Sequence, residues 1–262
     1  VMPISPSPTL RGPERTVIAR LRVPVLLVIF GVAGFLWVLD TMRNGTGLSA
    51  LDPSAHAWAI SLRTPWLTAV LAIITTAAAP FWLTLIVIVV TLAWGFLGRQ
   101  WWRPLLLALA MLTVVAVSTS LKHAVQRHRP PSAEMLLGPL GSPSFPSGHA
   151  LAAAVFFAAL AYLLLSRTST RARAFWLIAG AIIGTALVAI SRLYLGYHWL
   201  SDLAASGFLA VAIMGLVVIA DRFRPAAADG LTRRPSTPEA DRTAPPGAPA
   251  ESTSPHSAED PP

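Results

Sequence analysis

Six nearly uninterrupted apolar runs divide the chain: residues 23–39, 81–97, 104–121, 150–165, 174–190 and 203–220. None shows the strict alternation of a half-buried strand, and each is longer than a typical one. As helices of 16 to 18 residues they reach about 24–27 Å at roughly 1.5 Å per residue. Flanking tryptophans and arginines at the interface make up the remainder of a hydrocarbon core of about 30 Å. The pattern therefore predicts an all-α, polytopic bundle of six transmembrane helices. A seventh stretch, residues 66–79, is shorter and holds Thr68, Thr75 and Thr76. Taken alone it suits either a span or an interfacial segment.

The two ends lack any apolar period. Residues 1–22 hold Pro3, Pro6, Pro8 and Pro13 with four arginines, and read as a disordered basic tail. Residues 23–220 form the membrane domain. Residues 221–262, rich in Pro and Ala, read as a second disordered tail, on the cytoplasmic side. A signal peptide is the alternative for the start. The first apolar run nevertheless reaches Asp40 without a small-residue cleavage site, which favours an uncleaved span.

Arginine position sets the orientation. With six crossings and both termini inside, the inner side receives Arg11, Arg15, Arg20, Arg22, Arg99, Arg103, Arg167, Arg171, Arg173, Arg222 and Arg224. The outer side holds Arg43, Arg63, Lys122, Arg127, Arg129 and Arg192. A span at 66–79 would move the Arg167, Arg171 and Arg173 cluster outside, against the positive-inside tendency. Residues 51–79 are therefore expected as outer-face structure, with Asp52-Pro53 opening a helix. Trp101-Trp102 beside Arg99 and Arg103 reads as an interfacial anchor.

Composition agrees. The chain is 54% hydrophobic and 12% charged, with mean hydropathy +0.61. A soluble domain carries about 25% charged residues, so a normal water-facing surface is excluded. The net charge of +8 follows from topology and calls for no nucleic-acid partner. Absence of cysteine rules out disulfides, thiolate metal sites and a cysteine nucleophile.

Two segments expected on the outer side, 122–149 and 191–202, hold most of the polar chemistry. Charged groups at membrane helix ends are costly unless they act. Lys122, the single lysine, stands seven residues before Arg129, about two turns if the helix continues. Arg192 follows the fifth span. Three cations with few acids nearby, Glu134 and Asp202, imply an external anion, and guanidinium matches phosphate oxygens. Ser147 and Gly148 precede a helix, whose N-terminal amides suit phosphate. His198 and Asp202 are spaced i, i+4 and would share a helix face. The carboxylate would fix the imidazole tautomer and leave the other nitrogen free to attack. His149 could then serve as proton donor.

These residues resemble the type 2 phosphatidic acid phosphatase family of integral membrane lipid phosphatases, related to vanadium haloperoxidases. The family pattern has three blocks, K-x6-RP, PSGH and SR-x5-H-x3-D. The chain matches all eleven positions: Lys122, Arg129, Pro130, Pro146, Ser147, Gly148, His149, Ser191, Arg192, His198 and Asp202. The resemblance implies roles. His198 would form a phosphohistidine, oriented by Asp202, and His149 would protonate the leaving oxygen. Lys122, Arg129, Ser147, Gly148 and Arg192 would bind the phosphoryl group. It also implies no metal or other cofactor. Expected partners are membrane lipids and a lipid phosphate substrate: polyprenyl diphosphate, phosphatidic acid or phosphatidylglycerol phosphate. The site would face the outer side of a cytoplasmic membrane, which by analogy favours polyprenyl carrier recycling. A lipid phosphotransferase is the alternative, ahead of a non-enzymatic lipid-binding or transport protein and a vanadate haloperoxidase.

Plainer roles suit other residues. Pro130 and Pro146 read chiefly as helix terminators. His123, His128 and His56 read as loop or interfacial residues, and His256 lies in the tail. Tyr194 and Tyr197 read as interfacial packing, whereas Arg127 suits phosphate sensing or solvent equally.

Overall fold

The computed structural model describes residues 13–166 and 170–223, without the side chains before Arg20 or that of Pro80. Eight α-helices occur among these residues, and no strand. They are α1 (Pro13–Asn44), α2 (Asp52–Ser61), α3 (Pro65–Ala77), α4 (Pro80–Gly98), α5 (Trp102–Val125), α6 (Gly148–Leu165), α7 (Arg171–Tyr194) and α8 (Leu200–Arg222). Six are long and apolar enough to cross a membrane: α1 from Arg20 onward, and α4 to α8. The segments Gly47–Ser61 and Pro65–Ala77 meet at a 119° bend, a geometry of a broken or re-entrant segment. Asp52 opens α2 with Pro53 in its first turn, as the sequence indicates.

Helix α1 starts at Pro13, inside the stretch expected to be an unfolded tail. Pro13 fits the first helical position, where its missing N–H is no loss, and no proline recurs until Pro24. Helix α8 likewise runs past residue 220 to Arg222. Arg11, Arg167, Arg224, His256 and the remainder of both expected tails lie outside the described residues.

Helix α1 packs along α8 at small residues. A Cβ on Gly31 would stand 2.5 Å from the Ala212 amide nitrogen, and one on Gly215 2.6 Å from Val28 Cγ2. Such close approach is how membrane helices gain van der Waals contact without a hydrophobic drive. One buried cluster joins α1, α5, α6 and α8 through Val38, Val114, Leu151, Val155 and Leu209. A second joins α4, α5 and α6 through Leu83, Val87, Leu107, Phe156 and Leu163. Helix α7 lies outermost, and Phe175, Trp176, Ile182 and Ile183 are exposed along it, as a lipid-facing helix requires.

The two ends of the bundle are built differently. At one, Trp102 Nε1 and Tyr162 Oη donate to the Asp221 carboxylate at 3.1 and 3.0 Å. Trp102 is therefore a hydrogen-bonded tie as well as an interfacial residue. At the other end, the α2–α3 hairpin is fastened to the loops. The Thr64 amide donates to Tyr194 Oη at 2.8 Å, and Arg63 donates to the carbonyls of Glu134 and Tyr194.

Candidate active site

One cavity of about 650 Å³ gathers residues from distant parts of the chain. Lys122 comes from the last turn of α5, Arg129 from the following loop, and Gly148 and His149 from the first turn of α6. Arg192 comes from the last turn of α7, and His198 lies two residues before the start of α8. The cavity continues between α4 and α5 along Leu83, Val87, Ile88, Met111, Leu112 and Val115. Two imidazoles and three cations thus share the mouth of an apolar cleft.

His198 does not lie on a helix with Asp202, as the spacing suggested. Trp199 is the N-cap of α8, and Asp202 is the third residue of that helix. Its Oδ2 accepts from the Trp199 amide at 3.0 Å and stands 3.3 Å from His198 Nδ1. The i, i+4 spacing therefore works through a helix cap, which fixes the carboxylate before it orients the ring. On the far side of the ring, Arg129 Nη1 stands 3.1 Å from His198 Nε2. A guanidinium has no lone pair to accept with. Nε2 is thus the acceptor and Nδ1 carries the proton toward Asp202. Burial, then the neighbouring charges of Arg192, Arg129 and Lys122, hold His198 well below the usual histidine pKa. It is a neutral, tautomerically fixed imidazole.

Lys122 and Arg129 do not share a helix either. Helix α5 ends at Val125, and Gln126 adopts a left-handed conformation with φ 53°. The loop then turns back, so Lys122 Nζ donates to the Pro143 carbonyl at 2.5 Å. Arg129 donates to the Ser142 and Tyr197 carbonyls at 2.7 and 2.6 Å. The backbone thus aims both cations. Arg192 is buried, donates to Thr75 Oγ1 at 3.0 Å, and lies 4.2 Å from the centre of the Tyr197 ring. Its Nε is buried without a partner, an unusual state for a charged donor and one that an anion's oxygen would relieve.

Ser147 is placed differently from the other phosphate-binding candidates. It is fully buried, outside the cavity lining, and its Oγ caps α6 by accepting from the Ala150 amide. Its carbonyl accepts from Ser206 Oγ at 3.1 Å, tying α6 to α8. Ser191 is also buried and turns inward, donating to the Val188 carbonyl. Gly148 does line the cavity, and a Cβ there would stand 3.3 Å from Ser118 Oγ.

Comparison with known proteins bears directly on this site. The PAP2 superfamily model matches residues 103–225. Phosphatidylglycerophosphatase B of Bacillus subtilis (strain 168) is 33% identical over 187 residues, covering 70% of this chain and 89% of that protein. The chain belongs to the PAP2 superfamily. The crystal structure of a transmembrane PAP2 type phosphatidylglycerolphosphate phosphatase from Bacillus subtilis matches with TM-score 0.67 and 28% identity. That match covers 78% of this chain and 98% of the other. This PAP2 protein is a multi-pass membrane lipid phosphatase, a phosphoric ester hydrolase.

The PAP2 site also contains residues whose role the motifs do not disclose. Arg127 neither faces water freely nor lines the cavity. Its Nη1 donates to Asp202 Oδ1 at 2.5 Å and its Nη2 to Asp52 Oδ2 at 2.6 Å. Asp52 in turn accepts from the Ser201 amide and hydroxyl at 2.8 and 2.6 Å. Glu134 pairs with His56 at 2.5 Å rather than with the cations. Tyr197 Oη donates to the Gly138 carbonyl and accepts from the Leu137 amide, pinning the loop. Tyr194 and Tyr197 are both buried supports. The charge types of Asp52 and Arg127 are the only signal of their pairing in the sequence, for no periodicity links positions 75 residues apart.

Proposed function

We propose that the chain cleaves the phosphomonoester of a glycerolipid phosphate, such as phosphatidylglycerol phosphate or phosphatidate, through a phosphohistidine on His198. The observation that carries this reading is the fixed neutral imidazole of His198 among Lys122, Arg129 and Arg192 at the mouth of a lipid-sized apolar cleft. The name of the Bacillus subtilis relative supports a glycerolipid substrate over a polyprenyl diphosphate. The arginine asymmetry supports a site on the outer side of the membrane, with both termini inside.

In the first step Nε2 of His198 attacks phosphorus. Arg129 releases Nε2 and takes up a phosphoryl oxygen. The bond from phosphorus to the lipid oxygen breaks, its electron pair stays on that oxygen, and His149, which takes up a proton once the phosphate anion is bound beside it, supplies that proton to the oxygen. Asp202, held by Arg127 and the Trp199 amide, stabilises the positive charge on the substituted ring. In the second step His149 takes a proton from water, whose oxygen attacks phosphorus. The phosphorus–nitrogen bond then breaks back onto Nε2. Lys122, Arg129, Arg192 and the Gly148 amide bind the phosphoryl oxygens in both steps, and charge compensation of this kind is commonly the largest catalytic term.

Phosphate release by purified protein in detergent tests the reading, using phosphatidylglycerol phosphate, phosphatidate and polyprenyl diphosphate with a metal chelator present. Release from the two glycerolipids is expected. A strict magnesium requirement, or release from the polyprenyl diphosphate alone, overturns it.

A further inference from the structure

Besides Ser142, whose hydroxyl accepts from Arg129, the cavity wall carries three hydroxyls: Thr84 on α4, and Ser118 and Thr119 on α5. Ser118 and Thr119 precede Lys122 by four and three residues, about one helical turn, or roughly 5 Å, further into the bundle. Thr84 enters the same cavity from the second turn of α4. Ser118 is only 7% exposed, and its Oγ is aimed at Gly148, 3.3 Å from where a Cβ there would stand. Deeper still the wall is hydrocarbon: Val87, Ile88, Met111, Leu112 and Val115.

Among the described residues none of these three hydroxyls has a hydrogen-bond partner. Threonines elsewhere in the same helices do. Thr113 Oγ1 donates to the Leu109 carbonyl at 2.9 Å, and Thr91 Oγ1 to the Pro104 carbonyl at 3.4 Å. Within a membrane, polar groups are satisfied internally or line a cavity. Three unpartnered hydroxyls on the wall of one cavity, Ser118 buried and the two threonines open to it, therefore mark a surface built for oxygen acceptors. The wall thus reads charge, hydroxyl, hydrocarbon. A diacylglycerol phosphate has the same order, from phosphate through ester carbonyls to acyl chains. A polyprenyl phosphate passes from phosphate straight to hydrocarbon and would leave the three hydroxyls facing carbon.

We propose that Thr84, Ser118 and Thr119 form a subsite for the glycerol-ester segment of the substrate, donating to its ester carbonyl oxygens and selecting glycerolipids over polyprenyl phosphates. This rests on the phosphatase reading above, deepens it to a substrate-selecting device, and adds no chemical step.

The test compares kcat/KM for dioleoyl phosphatidate, its dialkyl ether analogue without carbonyls, and a prenyl phosphate of similar chain length. Each is measured on the wild type and on the triple variant Thr84→Val, Ser118→Ala, Thr119→Val. The wild type is expected to prefer the diester over the diether by about tenfold, from hydrogen bonds of ordinary net strength. In the variant that ratio falls to within about twofold of unity, and the preference for diester over prenyl phosphate falls about tenfold. A wild type that treats diester and diether alike overturns the subsite, as does a variant that keeps the wild-type ratios. The wild-type comparison decides the matter if the variant fails to fold, which thermal unfolding in detergent reports. Absence of phosphate release from all three lipids by the wild type sinks the phosphatase reading itself, a result distinct from equal release.

Discussion

Arg129 Nη1 stands 3.1 Å from His198 Nε2, and the arginine is necessarily the donor. The nitrogen assigned to attack phosphorus thus has its lone pair directed and its tautomer fixed before any substrate arrives. Burial and the neighbouring cations lower the pKa of this ring, so the reactive neutral form persists below the usual histidine range near 6.5. Removing a cation raises the folded-state pKa, and the acid limb of activity moves to higher pH. For Arg129→Gln the expected outcome is a fall in kcat/KM of about 10²–10³-fold together with an upward shift of the acid limb. Profiles of kcat/KM for wild type and variant on one substrate check this, because the substrate's own ionisation cancels in the difference. An unmoved limb contradicts the electrostatic account.

His149 lines the same cavity from the first turn of α6. A general acid matters in proportion to how badly the leaving group needs a proton. His149→Ala is expected to lose about 10²–10⁴-fold in kcat/KM, which reports the first step, on a lipid alkyl phosphate. On a nitrophenyl phosphate, whose leaving group departs as a stable anion, that loss in kcat/KM is expected to shrink below about tenfold, while loss of the base keeps the second step slow. Equal losses on both substrates rule out the acid role.

Among the described residues, Asp52 reaches Asp202 and the start of α8 through Arg127 and Ser201. It lies outside the residues matched by the family model, yet it holds the arginine that holds Asp202. Asp52→Asn is expected to lower kcat about tenfold with little change in KM, since it loosens the orientation of His198 without touching the phosphate site. Arg127→Ala leaves two buried carboxylates unpaired and is expected to cost about 3–5 kcal/mol of stability. Kinetics of the first variant and thermal unfolding of the second check both statements. A KM effect alone for Asp52→Asn contradicts the positioning role.

Packing of α1 on α8 gives a prediction independent of catalysis. Gly215→Leu forces a side chain against Val28 Cγ2 and the Pro24 carbonyl, with an overpacking cost of about 1–3 kcal/mol or more. A clear drop in Tm in detergent is expected, and an unchanged Tm contradicts the close approach.

How much of this was legible in the sequence depended on the range of the interaction. The six apolar runs marked the spans because a continuously apolar run of that length, without strand-like alternation, satisfies its backbone in a membrane as a helix. Cation and histidine positions marked the site because such groups are expensive there. Local geometry was less legible. Helical spacing suggested that Lys122 with Arg129, and His198 with Asp202, share helix faces. In the structure Gln126 ends one helix and Trp199 begins the other, so a returning loop and a helix cap do what helical periodicity was expected to do. Ser147 matched its motif, but the motif did not disclose that its hydroxyl caps α6. The contact between Arg127 and Asp52 was hidden because it depends on tertiary packing alone.

The covalent intermediate is tested most directly by mixing His149→Ala with nitrophenyl phosphate, quenching in alkali and mapping the added phosphoryl mass by peptide mass spectrometry. The account predicts that mass on His198, and its absence when His198 is also replaced by alanine. A phosphoryl group on any other residue, or turnover with none at His198, contradicts it.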